Sequence, residues 1–211
     1  MSLSTHNGTS ATPRQRLLEA GGEVFAERGL RAATVREICK RAGTNLATVN
    51  YYFGGKDKLY SAVLQYSLNE AMEKYPPDFG LSGKATPEKR LRAFVHSFLL
   101  RLLEDGRPAW HGKLMAREMA EPSFALDTLV DDVIRPLVER LQSIVEPLAG
   151  RRMTRDDLRL YVQSIIGQCV HYGRAKAVIT RLYPGQKYDA ASIKGLADHI
   201  TRFSLDALRR L

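Results

Sequence analysis

The fold of this 211-residue chain is decided by residues 43–60, GTNLATVNYYFGGKDKLY. The stretch begins at Gly43 and runs to a second glycine pair, Gly54-Gly55, followed by lysines. Between the glycines, Thr44 or Asn45 can cap a helix, and an apolar and aromatic run follows. The spacing predicts one short helix with two faces. The inward face holds Leu46, Val49, Tyr52 and Phe53, and the outward face holds Ala47, Thr48, Asn50 and Tyr51.

Two further helices are predicted before this stretch. Apolar residues recur at helical spacing from about Pro13 to Arg28, and Gly29 ends that helix. Thr34 with Glu37 has the capping-box spacing and predicts the start of a second helix, which Gly43 stops. Three short helices joined by glycine-centred turns describe a helix-turn-helix module.

The remainder of the chain is also helical in pattern, and no stretch alternates as a strand does. A fourth helix runs from the second glycine pair to Tyr75, and a fifth starts near Thr86. The later helices are predicted over about 112–121, 123–148, 154–182 and 189–208, with a bend expected at Pro136. We therefore predict an all-α protein of about nine helices. The predicted parts are a flexible arm (1–12), a DNA-binding domain (13–56), a connecting helix (57–75), a Pro/Gly-rich linker (76–87) and a C-terminal domain (88–211).

Composition narrows the classes of partner. The net charge is +9 and the pI is near 9.7, which favours a polyanion such as nucleic acid or an anionic membrane surface. Cys39 and Cys169 lie far apart and outside any metal-ligand spacing, so we expect no metal and no cofactor. No run is apolar enough to span a membrane and no apolar leader is present, so the expected location is the cytoplasm.

Two other interpretations of the opening stretch are weak. Its GGK tripeptide does not complete the phosphate-binding pattern GxxxxGK[ST], and no predicted strand precedes it. No nucleophile, base and orienting group can be assembled nearby, so we expect no enzyme. The remaining alternative to DNA binding is a helical adaptor that uses its basic surface to bind an anionic membrane or partner.

The outward face of the third predicted helix suits a DNA groove. Ala47, Thr48 and Asn50 lack the bulk that would keep a helix away from base edges. The hydroxyls of Tyr51 and Tyr52 can reach phosphates, and Lys56, near the start of the next helix, adds a charge and backbone N–H groups directed at phosphate.

The stretch TVREICKRAGTNLATVNYYFGGKDKLYSAVL, residues 34–64, resembles the signature of the tetracycline-repressor (TetR) family. The resemblance implies an N-terminal three-helix DNA-binding domain and a helical C-terminal domain that dimerises and often holds an effector. Many members have tyrosine where this chain has Asn50, which can instead read an adenine edge. The implied DNA-binding residues are Thr34, Arg36, Thr44, Asn45, Leu46, Ala47, Thr48, Asn50, Tyr51, Tyr52 and Lys56.

Two C-terminal stretches, KLMAREMAEPSFALDTLVDDVIRPLVERL (113–141) and RLYPGQKYDAASIKGLADHITRFSLDAL (181–208), resemble the CecR-like subgroup of the same family. This resemblance implies a one-component transcriptional regulator. We expect a repressor that binds a near-palindromic double-stranded DNA operator as a homodimer and is released by a small molecule.

The effector site and the dimer interface are placed from large, polar or apolar residues on the C-terminal helices. An effector pocket is predicted from Phe98, Trp110, His111, Met115, Glu118, Met119, Gln168 and Tyr172. These residues carry few charges beyond Glu118 and its neighbour Arg117, which predicts an apolar or aromatic effector. The resemblance implies that the dimer pairs through the helices at about 155–182 and 190–208. The interface residues predicted on these helices are Ile165, Ile166, Cys169, Gly173, Ile200, Phe203 and Leu208.

Overall fold

The computed structural model describes residues 11–81, 83–104, 108–150 and 152–210, and no strand forms within these ranges. The all-α prediction is therefore confirmed, whereas most of the predicted arm at residues 1–12 lies outside the described residues. The α-helices of these ranges are α1 (Pro13–Ala32), α2 (Val35–Ala42), α3 (Leu46–Phe53), α4 (Lys56–Lys74), α5 (Pro87–Leu103), α6 (Trp110–Ala120), α7 (Ala125–Leu129), α8 (Arg135–Val145), α9 (Arg155–Arg174), α10 (Lys176–Leu182) and α11 (Ala190–Arg209).

The helix starts follow the local capping signals in the sequence. Thr34 caps α2 by accepting a hydrogen bond from the backbone N–H of Glu37, and Asn45 caps α3 by accepting one from Thr48. Thr154 and Asp157 form a complete capping box at the start of α9. Each cap satisfies a backbone donor that the helix itself leaves free, which fixes where the helix begins.

Gly29 ends the regular part of α1, as the sequence predicted. Its φ of 76° lies in the left-handed region, so the last residues of α1 follow a kink. A side chain at this position would also collide with the guanidinium of Arg117 on α6. Glycine is therefore required here by the left-handed backbone, whereas the guanidinium is the flexible end of a side chain and can move aside.

Two predicted long helices are interrupted. The segment expected from Ser123 to Leu148 forms α7, a π-helical turn over Val130–Ile134 and then α8, with Pro136 in the first turn of α8. Proline has no N–H to donate, and its ring crowds the carbonyl four residues earlier. This explains why the regular α-helical hydrogen-bond pattern is interrupted just before Pro136. The segment expected from Thr154 to Leu182 divides at Ala175 into α9 and α10.

The chain divides into two compact units. Unit 1 comprises Met1–Ser67 and Ala109–Leu126, and unit 2 comprises Leu68–Pro108 and Asp127–Leu211. This division differs from the predicted domain boundaries, because α6 packs on α1 rather than within the C-terminal unit. The contact is close: a side chain at Gly22 of α1 would overlap the indole of Trp110 at the start of α6.

Each unit has its own apolar core. The core of unit 1 includes the buried side chains of Leu17, Val24, Phe25, Ile38, Val49, Leu59 and Trp110. In unit 2, α5 lies against α8, α9 and α11, and the core includes Leu91, Val95, Leu99, Leu141, Ile165, Cys169 and Ile200. None of the helices in the described ranges is long and apolar enough to cross a membrane.

Candidate nucleic-acid interface

The short helix α3 is fixed in unit 1 by only two of its side chains. Val49 is fully buried and Phe53 is nearly so, and both join the core formed with α1 and α2. Leu46 and Tyr52 were also expected to face inward, but they are 51% and 40% exposed. The prediction that Leu46 and Tyr52 face inward was therefore wrong. An eight-residue helix that packs against a core along one side has room to bury only about two side chains.

Ion pairs on the surface of unit 1 brace α2, which precedes α3. Arg41 on α2 forms ion pairs with Glu23 and Glu27 on α1, and Arg28 on α1 reaches back to Glu37 on α2. These pairs are exposed, so each adds little stability, but together they fix the angle between the two helices. The turn at Gly43, with a φ of 63°, then sets the direction of α3.

The exposed face of α3 borders a concave surface of about 780 Å³. Tyr51 is the most exposed of the large apolar side chains of α3, at 83%, and its ring packs edge-to-face on Tyr52 at 5.0 Å between centroids. The concave surface is lined by Pro13, Arg16, Gly43, Thr44, Asn45, Ala47, Thr48, Tyr51 and Tyr52. The structure therefore brings together most of the residues predicted to bind DNA.

Sequence reasoning missed the contribution of α1 to this surface. Pro13 and Arg16 line it, and Arg16 is held in place by a hydrogen bond of 3.0 Å from Nε to the carbonyl of Ala42. Arg14 lies over the ring of Phe53 at 5.6 Å. The basic pattern of residues 13–16, PRQR, was the available signal, but it was interpreted only as the start of a helix.

Three of the predicted DNA-binding threonines have local roles. Thr34 uses its hydroxyl oxygen to cap α2. Thr48 donates its hydroxyl proton to Oδ1 of Asn45 at 3.0 Å, so only its oxygen lone pairs and methyl group remain for a base edge. The hydroxyl oxygen of Thr44 is buried between α2 and α3, so the prediction that Thr44 binds DNA can concern only its other atoms.

Lys56 does not present a free charge to phosphate. Its Nζ donates to the carbonyls of Leu30 at 2.9 Å and Ala33 at 3.2 Å and lies 3.5 Å from that of Arg31. The carbonyls of Leu30 and Arg31 lie in the last turn of α1 and that of Ala33 at its C-cap, where unpaired carbonyl groups stabilise a cation. Lys56 therefore holds the start of α4 to the end of α1, so its ammonium group is not free for phosphate, and the contact predicted from the backbone N–H groups at the start of α4 stays a prediction. Arg36 and Asn50, by contrast, are exposed and make no side-chain hydrogen bond with any described residue.

The predicted effector residues are divided between the two units. Trp110, His111, Met115, Glu118 and Met119 belong to unit 1, and Phe98, Gln168 and Tyr172 belong to unit 2. In unit 1, Trp110 and Met115 join the core, and Nδ1 of His111 lies 2.8 Å from the hydroxyl of Ser67. Neither unit assembles the whole predicted set. Apolar periodicity marks buried residues but does not say which core they join.

Glu118 is fully buried in unit 1, and its carboxylate is satisfied by neighbours. Oε2 accepts a hydrogen bond from the hydroxyl of Tyr60 at 2.6 Å, and Oε1 accepts two from the backbone and hydroxyl of Ser123, both at 2.9 Å. Burial, together with the carboxylate, raises the pKa of Tyr60, so its hydroxyl stays a donor. The arrangement holds the end of α6 to α4 and satisfies both carboxylate oxygens of Glu118 within unit 1.

Arg117, the neighbour of Glu118, lines a second concave surface of unit 1. This cleft measures about 740 Å³ and also includes Arg28, Arg31, Tyr60 and Phe124. Arg117 makes no hydrogen bond or ion pair with a residue in the described ranges. The two charged residues predicted near the effector therefore differ in position. The Glu118 carboxylate is buried inside unit 1, whereas Arg117 lines the cleft.

The predicted dimer interface is largely contradicted in unit 2. Ile165, Cys169, Ile200 and Leu208 are each at most 2% exposed and form the core of the unit itself. Ile166 and Gly173 are half-buried, and Phe203 is 60% exposed. The exposed apolar side chains of the α9–α11 region are instead Leu160, Val178, Leu182, Tyr183 and Phe203.

Comparison with known proteins agrees with this geometry. Residues 17–63 match the family described as bacterial regulatory proteins, tetR family, and residues 87–208 match the C-terminal domain of the HTH-type transcriptional dual regulator CecR. The chain is 28% identical to CecR of Shigella flexneri over 79% of this chain and 78% of the relative. It is 28% identical to the HTH-type transcriptional repressor NicS of Pseudomonas putida over 94% of this chain and 92% of the relative.

The fold is also similar to that of solved structures. A structure of AibR in complex with isovaleryl coenzyme A and operator DNA superposes with a TM-score of 0.65. The alignment covers 91% of this chain and 97% of AibR at 16% identity, which is a similarity of fold. The resemblance inferred from residues 34–64 and from the two C-terminal stretches is confirmed.

Proposed function

The chain belongs to the TetR family of bacterial regulatory proteins, and we propose that it is a transcriptional repressor that binds its operator through α3 and releases it when a small molecule binds. Regulation of transcription is the function of the relatives that match over most of the chain. Because the target of such a protein is the chromosome, we propose that it acts in the cytoplasm.

The observation that carries the proposal is the exposed face of α3. A helix whose solvent side presents Ala47, Asn50 and Tyr51 has small and polar groups for base edges and a hydroxyl for phosphate. Arg16 and Arg36 add exposed or partly exposed guanidinium groups of the kind that bind phosphate or guanine. We propose Ala47, Thr48 and Asn50 as base-reading residues, and Tyr51, Tyr52 and Arg16 as backbone contacts.

We propose that the repressor is a homodimer paired through exposed residues of unit 2. Phe203 on α11 and Leu160 on α9 are more than half exposed, and a second copy paired through these helices would bury them. A two-fold interface would bury the same patch on both copies. Two α3 helices related by that axis would read a near-palindrome, with half-sites about one helical turn apart or a multiple of it.

The dimer proposal is tested by Phe203→Arg, with Phe124→Arg as a control because Phe124 is similarly exposed in unit 1. We expect light scattering to give a monomer mass for Phe203→Arg and a dimer mass for the control. A Phe203→Arg protein that is folded and dimeric would remove Phe203 from the interface.

The proposed operator is found by incubating the full chain with random DNA duplexes and sequencing those that are retained. We expect enrichment of one near-palindromic sequence. Loss of all enrichment, together with binding to anionic lipid vesicles, would contradict the repressor and support the helical adaptor. In the proposed mechanism the dimer has two conformations, one that binds the operator and one that does not. An effector weakens operator binding only to the extent that it binds the second conformation more tightly than the first.

A further inference from the structure

The cleft in unit 1 places two arginines without counter-ions beside an exposed aromatic ring. It measures about 740 Å³ and lies between the end of α1 and the residues that join α6 to α7. Arg31 and Arg117 line it, and the side chain of neither makes a hydrogen bond or ion pair with a described residue. Phe124, in the same lining, is 53% exposed. A volume of this size is typical of small-molecule sites.

The net charge of the cleft lining is positive. Its third arginine, Arg28, is paired with Glu37 at 2.9 Å. The lining also holds the exposed carboxylate of Glu121. Among the described residues the lining therefore carries three positive charges and one negative charge, which favours an anionic ligand.

A buried hydrogen-bond network fixes the wall of the cleft at Tyr60 and Ser123. The hydroxyl of Tyr60 donates to one oxygen of Glu118 at 2.6 Å, and the backbone N–H and the hydroxyl of Ser123 donate to the other at 2.9 Å. Phe124 follows Ser123 directly, and its ring lies 6.5 Å from that of Tyr60 between centroids. The segment that carries Phe124 is therefore held in place before a ligand binds, which lowers the entropic cost of binding.

Arg117 lies across the end of α1. Gly29 has no side chain, and a Cβ at this position would be 2.5 Å from Nη1 of Arg117. Burial and the Glu118 carboxylate raise the pKa of Tyr60, and the positive charge of Arg117 opposes this rise. The guanidinium therefore lies near the inner wall of the cleft. Because it ends a flexible side chain without a fixed partner, it can turn toward an anion there.

We propose that this cleft binds a small aromatic phosphate monoester, with its phosphate on Arg117 and Arg31 and its ring on Phe124. A phosphate monoester carries a charge of about −1.5 to −2 near neutral pH, which matches two unpaired arginines, whereas a carboxylate would neutralise only one. Guanidinium groups also match the spacing of phosphate oxygens and bind them through two parallel hydrogen bonds. The exposed ring of Phe124 offers an apolar surface on which an aromatic body can pack.

The position of the cleft links it to DNA binding, and this link, unlike the site itself, rests on the proposed function. Leu30 lines the cleft, and its carbonyl accepts a hydrogen bond of 2.9 Å from Nζ of Lys56. Lys56 begins α4, just after the turn that ends α3. A dianion bound here also neutralises positive charge in the unit that carries α3, which weakens the attraction of that unit for DNA phosphates. We therefore expect the ligand to lower the affinity for the operator.

The first test is titration calorimetry on the full chain with 1-naphthyl phosphate, 1-naphthoate, 1-naphthol and inorganic phosphate. We expect 1-naphthyl phosphate to bind about tenfold or more tightly than each of the other three, because each of these lacks the dianion or the ring. Equal affinities for 1-naphthyl phosphate and 1-naphthoate would contradict a site for a dianion. Equal affinities for 1-naphthyl phosphate and inorganic phosphate would indicate an adventitious ion only.

The second test substitutes the lining residues one at a time. Arg117→Gln and Arg31→Gln should each weaken the binding of 1-naphthyl phosphate about tenfold, because each removes one charge-assisted contact. Lys113→Gln is the matched control, since it removes the same charge from an exposed position of α6 outside the lining and should bind as the wild type does. Phe124→Ala should weaken the binding of 1-naphthyl phosphate but not that of inorganic phosphate.

The proposal is overturned if the arginine variants keep the wild-type melting temperature and bind 1-naphthyl phosphate as tightly as Lys113→Gln does. If Arg117→Gln does not fold, Arg31→Gln decides the same question. A result in which Phe124→Ala binds 1-naphthyl phosphate as the wild type does would remove the ring from the site.

A last measurement separates the phosphate site from the repressor function. We expect 1-naphthyl phosphate to lower the affinity of the wild type, but not of Arg117→Gln, for the selected duplex. If a duplex is selected but 1-naphthyl phosphate does not bind, the site fails and the repressor stands. If 1-naphthyl phosphate binds through Arg117 but no duplex is enriched, the site stands and the repressor fails. Binding that leaves the affinity for the duplex unchanged would overturn the link between them.

Discussion

Replacing Lys56 by methionine separates two roles for this residue. A phosphate contact would contribute to DNA affinity and not to stability, whereas the observed hydrogen bonds to the carbonyls of Leu30 and Ala33 contribute to stability. A hydrogen bond to a charged group contributes about 1.5–3 kcal/mol, but these carbonyls are only partly buried and water replaces part of the interaction. We therefore expect Lys56→Met to lower the free energy of unfolding by about 1–2 kcal/mol.

The assay combines urea unfolding with DNA affinity at several salt concentrations. Lys58→Met is the matched control, because Lys58 is exposed, lies on the same helix and is expected to change stability by less than about 0.5 kcal/mol. Lys56→Met should leave the slope of log affinity against log salt unchanged, since no phosphate contact is lost. The reasoning is refuted if Lys56→Met is as stable as the control and its salt slope falls by about one.

Three further substitutions, two in unit 1 and one in unit 2, are tested by urea or thermal unfolding. Tyr60→Phe should destabilise unit 1 by about 1.5–3 kcal/mol, because one oxygen of the buried Glu118 carboxylate loses its donor; an unchanged midpoint would contradict this. Gly22→Ala should cost about 1–3 kcal/mol by collision with an indole, whereas Gly112→Ala, where the space is open, should be neutral or stabilising; equal effects would refute the contact. Burial and the nearby charge of Arg92 lower the pKa of His96 in the folded chain. The contribution of His96 to the free energy of unfolding is therefore complete above its ordinary pKa of 6.5 and is lost as the pH falls through the lowered pKa. His96→Gln should make the urea midpoint fall less steeply with decreasing pH, which unfolding curves at several pH values would measure.

The parts of the fold that the sequence predicted are those that depend on neighbours along the chain. Thr34, Thr154 and Asp189 cap helices because each can reach a backbone N–H three residues later. The turn at Gly43 is equally local, since its left-handed φ needs no distant partner. The position of α3 and most of its exposed face followed from these signals.

The parts that the sequence did not predict depend on contacts between distant segments. Lys56 finds its acceptors more than twenty residues upstream, so its spacing on α4 alone suggested a free charge. Trp110 was assigned to an effector pocket because of its type, yet it packs on Gly22 of α1. Ile165 and Cys169 were assigned to a dimer interface although the core of unit 2 encloses them. Apolar periodicity identifies a buried face but does not distinguish burial within a chain from burial between chains.

The central claim, that the exposed face of α3 lies in a DNA groove, is tested most directly by a negative charge placed on that face. Ala47→Glu changes an exposed residue of α3, and Ala116→Glu makes the same change at an exposed residue of α6 and serves as the control for net charge. The measurement is the affinity of each variant for the selected duplex by fluorescence anisotropy. Because a carboxylate held against phosphates and base edges costs several kcal/mol, we predict that Ala47→Glu weakens binding about a hundredfold or more and that Ala116→Glu stays close to the wild type. Equal affinities of the two variants would contradict the claim that α3 reads the DNA.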